Sequence, residues 1–251
     1  MGVNVERHGV AAVITLDWPS QRNALGIEEA QELTKALGEA TRASDVCGIV
    51  LTGNGAFSAG VNLKGLISRA GMPPEERAKL VYGVFQATIR AIIDTPVPVF
   101  AAIDGPAIGL GFDLALACDA RIIGPNGWCM QGWGRLAAIP ATGGEWLLRQ
   151  RAPSLLWRLL EDQPRIDGAM AERYNIGEAT GGETARERTI ARVNKLGEMS
   201  RIALESYVAL YRFDLRNGLD AHLAEARAQQ IKLLGRPELT ERAKGLLKKP
   251  G

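Results

Sequence analysis

Residues 105–119 read GPAIGLGFDLALACD: three glycines and a proline lead into an apolar, helix-forming run that carries one carboxylate, Asp113. A carboxyl group in apolar surroundings is costly unless partnered, and its pKa rises, which suits a general acid or base working near neutrality. The plainer reading is a side chain that hydrogen-bonds a neighbouring loop. Just before it, Gly109 and Gly111 allow the backbone to approach a ligand closely. The first amides of the following helix have no helical acceptor and sit at the positive end of its dipole. Such amides can hold negative charge developing on an oxygen, although the same glycines also suit a tight packing turn. A second turn of this type, GNGAFSAGVNL, spans 53–63. Two such loops at the ends of neighbouring strands, each giving one N–H, would clamp a single carbonyl oxygen. Phosphate-loop readings fit less well, because Leu114 stands where a dinucleotide fingerprint has its third glycine and no G-K-[ST] follows any glycine cluster. His8 and His222 lie at opposite ends of the chain with no partner spacing, so neither a metal site nor a Ser–His triad is indicated.

The elements that must position these groups follow from periodicity. Val10–Leu16 is β-branched and apolar and ends before Pro19, which predicts a strand near the N-terminus. From Ile27, apolar residues at helical spacing with Glu28 and Glu29 in the first turn predict an amphipathic helix. VCGIVLTG is a buried strand, 75–93 a long helix, PVPVFAAIDG another strand and ARIIG one more. Strands alternating with helices indicate a mostly parallel sheet whose working loops lie at the strand ends. After Glu145 helical periodicity dominates, and a C-terminal helical region begins between Gly168 and Gly182. The 251 residues, 46% of them hydrophobic, suffice for one large domain with an appended helical part. A net charge of +2 with dispersed basic residues gives no nucleic-acid footprint, and the terminal lysines read as a solvated tail. Cys47, Cys118 and Cys129 are far apart and odd in number, as in a reduced cytoplasmic protein. No secretory signal is read in the first residues, and no apolar run is long enough for a membrane helix. Trp128, Trp133, Trp146 and Trp157 fall within thirty residues and would wall a pocket or pack the core.

Five motifs recurring together give the chain a resemblance to the crotonase, or enoyl-CoA hydratase/isomerase, superfamily: RNAL at 22–25, IVLTGNGAFSAGVNL at 49–63, TPVPVFAAIDGPAIGLGFDLALACDARI at 95–122, AAIPATGG at 137–144, and the helical tail. The resemblance implies a ββα-spiral core over 1–180, a helical trimerisation region over 181–251, and assembly as a trimer or a hexamer. It also implies a coenzyme A thioester as ligand, with coenzyme A entering as part of the substrate and no permanently bound cofactor or metal. Carried over by motif, the oxyanion hole comprises the N–H groups of Val61 and Leu110, and Arg22, Ala24, Ala59, Asn62 and Leu63 surround the coenzyme. Asn62 replaces the usual Asp, and Asn175 stands where a glycine is usual; asparagine also tolerates the left-handed backbone.

The acids depart further from the resemblance. Hydratases of the superfamily use two glutamates; the first position is Asp113 here and the second is Trp133. Water addition needs a base and an acid on opposite sides of the reacting atoms, so efficient hydration is not expected. Trp133 is similar to the residue that aryl-CoA dehalogenases carry, yet their nucleophilic Asp corresponds to Ala141, which disfavours that activity. Glu145 either approaches the substrate or complements a helix dipole. The expectation is an acyl-CoA enzyme, a lyase or isomerase, that stabilises a thioester enolate with Asp113 as its single acid/base, in isomerisation, decarboxylation or C–C hydrolysis. The alternatives are an acyl-CoA binding protein that has lost the chemistry, and a dinucleotide-dependent oxidoreductase.

Overall fold

The computed structural model describes residues 1–248; Lys249 of the basic tail lies outside the described residues. Its strands are β1 (Gly2–His8), β2 (Ala11–Asp17), β3 (Gly48–Gly53), β4 (Val99–Ile103), β5 (Pro106–Ile108), β6 (Ala120–Ile123), β7 (Trp128–Met130) and β8 (Glu178–Ala179). The helices are α1 (Ile27–Arg42), α2 (Leu63–Ser68), α3 (Pro74–Arg77), α4 (Gly83–Ile93), α5 (Leu110–Ala117), α6 (Gly144–Arg149), α7 (Leu155–Asp162), α8 (Gly168–Arg173), α9 (Ala185–Leu196), α10 (Arg201–Tyr211), α11 (Phe213–Leu234) and α12 (Pro237–Lys248).

One six-stranded sheet runs β1-β2-β3-β4-β6-β8, parallel except for the β1–β2 hairpin. A small second sheet pairs β5 with β7 in parallel. The central strands are buried on both faces, which is why they read as nearly unbroken apolar runs. Ala12, Ile14, Leu16, Ile49, Leu51, Ala101 and Ile103 face the main core with α1, α4 and α5. The alternate residues Ala11, Val13, Val50, Phe100, Ala102 and Ile122 face Ala185 and Val193 of α9. So α9, part of the predicted C-terminal region, covers the second face of the sheet.

In α1, Ala30, Leu33 and Leu37 turn inward at helical spacing, and Glu29 accepts the Gly26 N–H at 2.9 Å. The predicted helix over 75–93 begins at Pro74 and contains a π-helical turn at Ala78–Tyr82. Asn175 takes the left-handed conformation, with φ 55°. Among the described residues no helix is long and apolar enough to cross a membrane, and no group of three or more His, Cys, Asp or Glu could hold a metal ion.

Candidate active site

The loop leaving β3 and the turn from β5 into α5 meet at glycine contact. Ser58 bridges to Ala107, its N–H donating to the Pro106 carbonyl at 3.0 Å while its own carbonyl accepts from the Ile108 N–H at 2.9 Å. A Cβ at Gly60 would lie 2.5 Å from the Ile108 oxygen, and one at Gly111 would lie 2.4 Å from the Ser58 oxygen. Both distances are shorter than a van der Waals contact, so the loops can cross only where side chains are missing.

A third segment locks this crossing. Leu25 bridges to Val61: its N–H donates to the Gly60 carbonyl at 2.7 Å and its carbonyl accepts from the Asn62 N–H at 2.8 Å. Asn23, fully buried with φ 55°, accepts from the Trp18 N–H and donates to the Ala56 carbonyl. Its own carbonyl accepts from the Ser58 hydroxyl, whose oxygen in turn accepts from the Gly60 N–H. Sequence reasoning passed over Asn23 and Ser58. The signal available was an Asn that can adopt the left-handed region within a polar turn.

The bonds around Val61 and Leu110 leave both their N–H groups without an acceptor among the described residues. The Gly60 and Asn62 amides on either side of Val61 are bonded. Leu110 opens α5 and so has no helical acceptor, while the Gly109 N–H donates to the Met130 carbonyl at 3.0 Å. Val61 and Leu110 both line a cavity of about 370 Å³. Of the predicted residues, Arg22, Ala59, Leu63 and Trp133 also line it. Arg135, Leu136 and Leu246, the last from α12, line it as well and were not anticipated.

Four predicted residues are absent from that wall. Ala24 lies in the turn before α1, where its carbonyl accepts from Gln21. Asn62 caps α2, its Oδ1 accepting the Gly65 N–H at 3.1 Å, a role that Asn and Asp fill equally well. Glu145, in the first turn of α6, pairs with Arg149 at 3.0 Å and His222 at 3.5 Å. That is the helix-dipole alternative with one guanidinium added; burial pushes the His222 pKa down, which favours its neutral form. Asp113 is 2% exposed on a helix in which every residue is buried. Its Oδ2 accepts from the Trp133 Nε1–H at 2.8 Å and from the Thr142 hydroxyl. Burial pushes its pKa up to about 7 against the opposing pull of those two hydrogen bonds. Trp133 thus stands between the acid and the cavity. Of the four clustered tryptophans only Trp133 reaches the cavity; Trp146 stacks on His222, Trp128 lies under Arg165, and Trp157 is exposed.

Amides without an acceptor can take an anionic oxygen, and the presence of Arg22 and Arg135 among the residues lining the same cavity favours a ligand with negative charge. The family model described as enoyl-CoA hydratase/isomerase matches residues 6–247. The chain belongs to this family, within the crotonase superfamily. It is 35% identical over 222 residues to a probable enoyl-CoA hydratase of Rhodobacter capsulatus, covering 87% of this chain and 84% of that protein. A probable enoyl-CoA hydratase of Mycobacterium tuberculosis is 36% identical over 149 residues, and the match spans only 56% of that relative's length. The crystal structure of enoyl-CoA hydratase from Bacillus halodurans has the same fold, with a TM-score of 0.89 at 23% identity over 98% of this chain and 100% of that one. An enoyl-CoA hydratase structure from a Polaromonas species gives a TM-score of 0.80 at 28% identity over 98% of this chain and 97% of that one. Against this family background the Asp113–Trp133 pair is what needs a chemical account.

Proposed function

We propose that this family member acts on a coenzyme A thioester, holding its carbonyl oxygen between the Val61 and Leu110 N–H groups so that an enolate is stabilised. The observation that supports the reading is that Val61 and Leu110, whose N–H groups have no acceptor among the described residues, both line one cavity at a crossing kept close by glycines. Arg22 and Arg135 suit the coenzyme's phosphates. The lining of the cavity includes no carboxylate and no imidazole among the described residues. Reactions that begin with proton abstraction or water activation therefore lack a base on the wall. Decarboxylation of a 2-carboxyacyl thioester does not need one. The bond from Cα to the carboxylate breaks, carbon dioxide leaves, and its electron pair becomes the enolate, which water then protonates. Asp113 in this arrangement acts as the acceptor that orients Trp133, which stands between it and the cavity.

The same bare wall favours one second reading, an acyl-CoA binding protein without turnover. The spiral core over 1–180, the helical region over 181–251, assembly as a trimer or hexamer, and a cytoplasmic site belong to the proposal. Three unpaired, buried cysteines are in keeping with that reducing compartment. The test is calorimetric titration with acyl-CoA, coenzyme A and NAD, together with turnover of crotonyl-CoA and methylmalonyl-CoA, in the wild type and Gly60→Ala. Thioester binding without NAD binding, decarboxylation faster than hydration, and a loss of about a hundredfold or more in Gly60→Ala are expected, since losing one oxyanion donor costs that much. Binding with no turnover selects the second reading. Absence of thioester binding ends both.

A further inference from the structure

Trp133 lines the same cavity as Val61 and Leu110. A Cβ at Gly109 would lie 4.0 Å from its Cε2, so the ring lies against the turn that carries the Leu110 N–H. Trp133 is 1% exposed and is part of the cavity wall. The ring's one polar atom is fixed from behind by Asp113, and the Thr142 hydroxyl donates to the same carboxylate oxygen. The other carboxylate oxygen abuts Gly144, where an added Cβ would lie 1.9 Å from Oδ1. The acid is therefore wedged between α6 and the indole, with no room to shift backwards. A donor–acceptor pair this buried holds a single rotamer, because breaking it leaves an unsatisfied N–H and an uncompensated carboxylate.

The space in front of the ring is small. At about 370 Å³ the cavity is near the low end of small-molecule sites, roughly 300–1,000 Å³. It must admit the pantetheine arm as well as the acyl group. On the thioester reading, we infer that Trp133, held by the Asp113 carboxylate, is the end wall that restricts the acyl group to short chains, with Asp113 as the positioning residue for that wall. The substrate class is then a short-chain acyl thioester, and removing the indole opens the room occupied by its ring toward Asp113 and Thr142.

The experiment is a titration of acetyl-, butyryl- and octanoyl-CoA into the wild type, Trp133→Phe, Trp133→Ala, Asp113→Asn and Asp113→Leu, read as the ratio of butyryl to octanoyl affinity. Each buried methylene is worth about fourfold in affinity, so admission of the longer chain is readily measured. The wild type is expected to bind butyryl-CoA at least as tightly as octanoyl-CoA. Trp133→Ala should move the ratio about tenfold or more toward octanoyl-CoA. Asp113→Asn, which keeps an acceptor for the indole N–H, should retain the wild-type ratio, whereas Asp113→Leu and Trp133→Phe should shift it partway toward the longer chain. Circular dichroism matching the wild type confirms that each variant compared is folded, and the conservative Trp133→Phe carries the test if Trp133→Ala is not. A wild type that already prefers octanoyl-CoA, or a ratio unchanged in Trp133→Ala and Trp133→Phe, overturns the end-wall role while leaving the thioester reading intact. Failure of every acyl-CoA to bind the wild type overturns the thioester reading itself.

Discussion

The carboxyl of Asp113 has no water to solvate its charge and two hydrogen bonds to replace it. The loss of water dominates, and the pKa rises from an ordinary 3.8 to about 7. The sign of the stability effect follows from proton counting. Between pH 4 and 7 the folded chain holds this proton more often than the unfolded chain, so stability from this site is full at low pH and is lost as pH rises through about 7. Asp113→Asn keeps an acceptor toward Trp133 and Thr142 but does not titrate. Urea unfolding midpoints measured every half unit of pH should fall less steeply over that window in the variant than in the wild type. Parallel curves would mean that the buried charge costs nothing. Tyr82 and Cys118, also fully buried, are pushed up by the same loss of solvent. They stay neutral throughout the window and do not confuse the comparison.

At the scale of elements, one guanidinium ties the C-terminal helices to the sheet. Arg212, at the junction of α10 and α11, is fully buried; its Nε donates to Asp119 Oδ1 at 2.8 Å and its Nη2 to Asp119 Oδ2. Its Nη1 donates to the carbonyls of Ile93 and Thr95, at the end of α4 and just beyond it. Asp119 also accepts from the Val99 N–H, the first residue of β4. Removing one partner of a buried pair leaves the other charge uncompensated, at a cost of about 3–5 kcal/mol. Arg212→Ala should lose that much in denaturant unfolding, and adding Asp119→Ala should restore part of it. A loss under about 1 kcal/mol would mean that apolar packing of Leu215, Leu219 and Leu223 already fixes α11. None of this was legible in the sequence, because the contact joins residues 93 positions apart and each taken alone reads as a surface charge. The central strands and α1 were legible, since burial on both faces or on one stripe imposes a period. The edge strand β8 was not, because its two residues are exposed and carry no apolar signal. At the site, the glycine turns and the oddness of Asp113 could be read directly. That Trp133, twenty positions on, is its counterpart came from the family resemblance alone, and the hydrogen bond between them could not be read, because no periodicity links a helix to a 3-10 turn on another loop.

For the whole molecule, the surface that remains uncovered is the outer face of α10 and the start of α11. Ile202, Tyr207, Leu210, Tyr211 and Phe213 are each more than 60% exposed. A groove of about 660 Å³ beside them is lined by Phe100, Leu196, Met199, Tyr207 and Tyr211. Single exposed apolar residues are ordinary, but five on one short stretch form a patch of the kind that marks an interface. Five such side chains on each copy, at about 1.5–3 kcal/mol apiece on full burial, match the scale of association costs, about 4–15 kcal/mol. A closed ring of identical copies would cover every such patch without leaving one open. On the trimer or hexamer proposed from the family resemblance, light scattering should give a mass of three or six chains. Because Ile202 and Leu210 are 78% and 75% exposed, they contribute little to the fold of one copy. The double variant Ile202→Glu, Leu210→Arg should therefore run as a monomer with an unchanged circular dichroism spectrum. A wild type that is monomeric at micromolar concentration, or a variant that still assembles, would mean that these side chains are not what joins the copies.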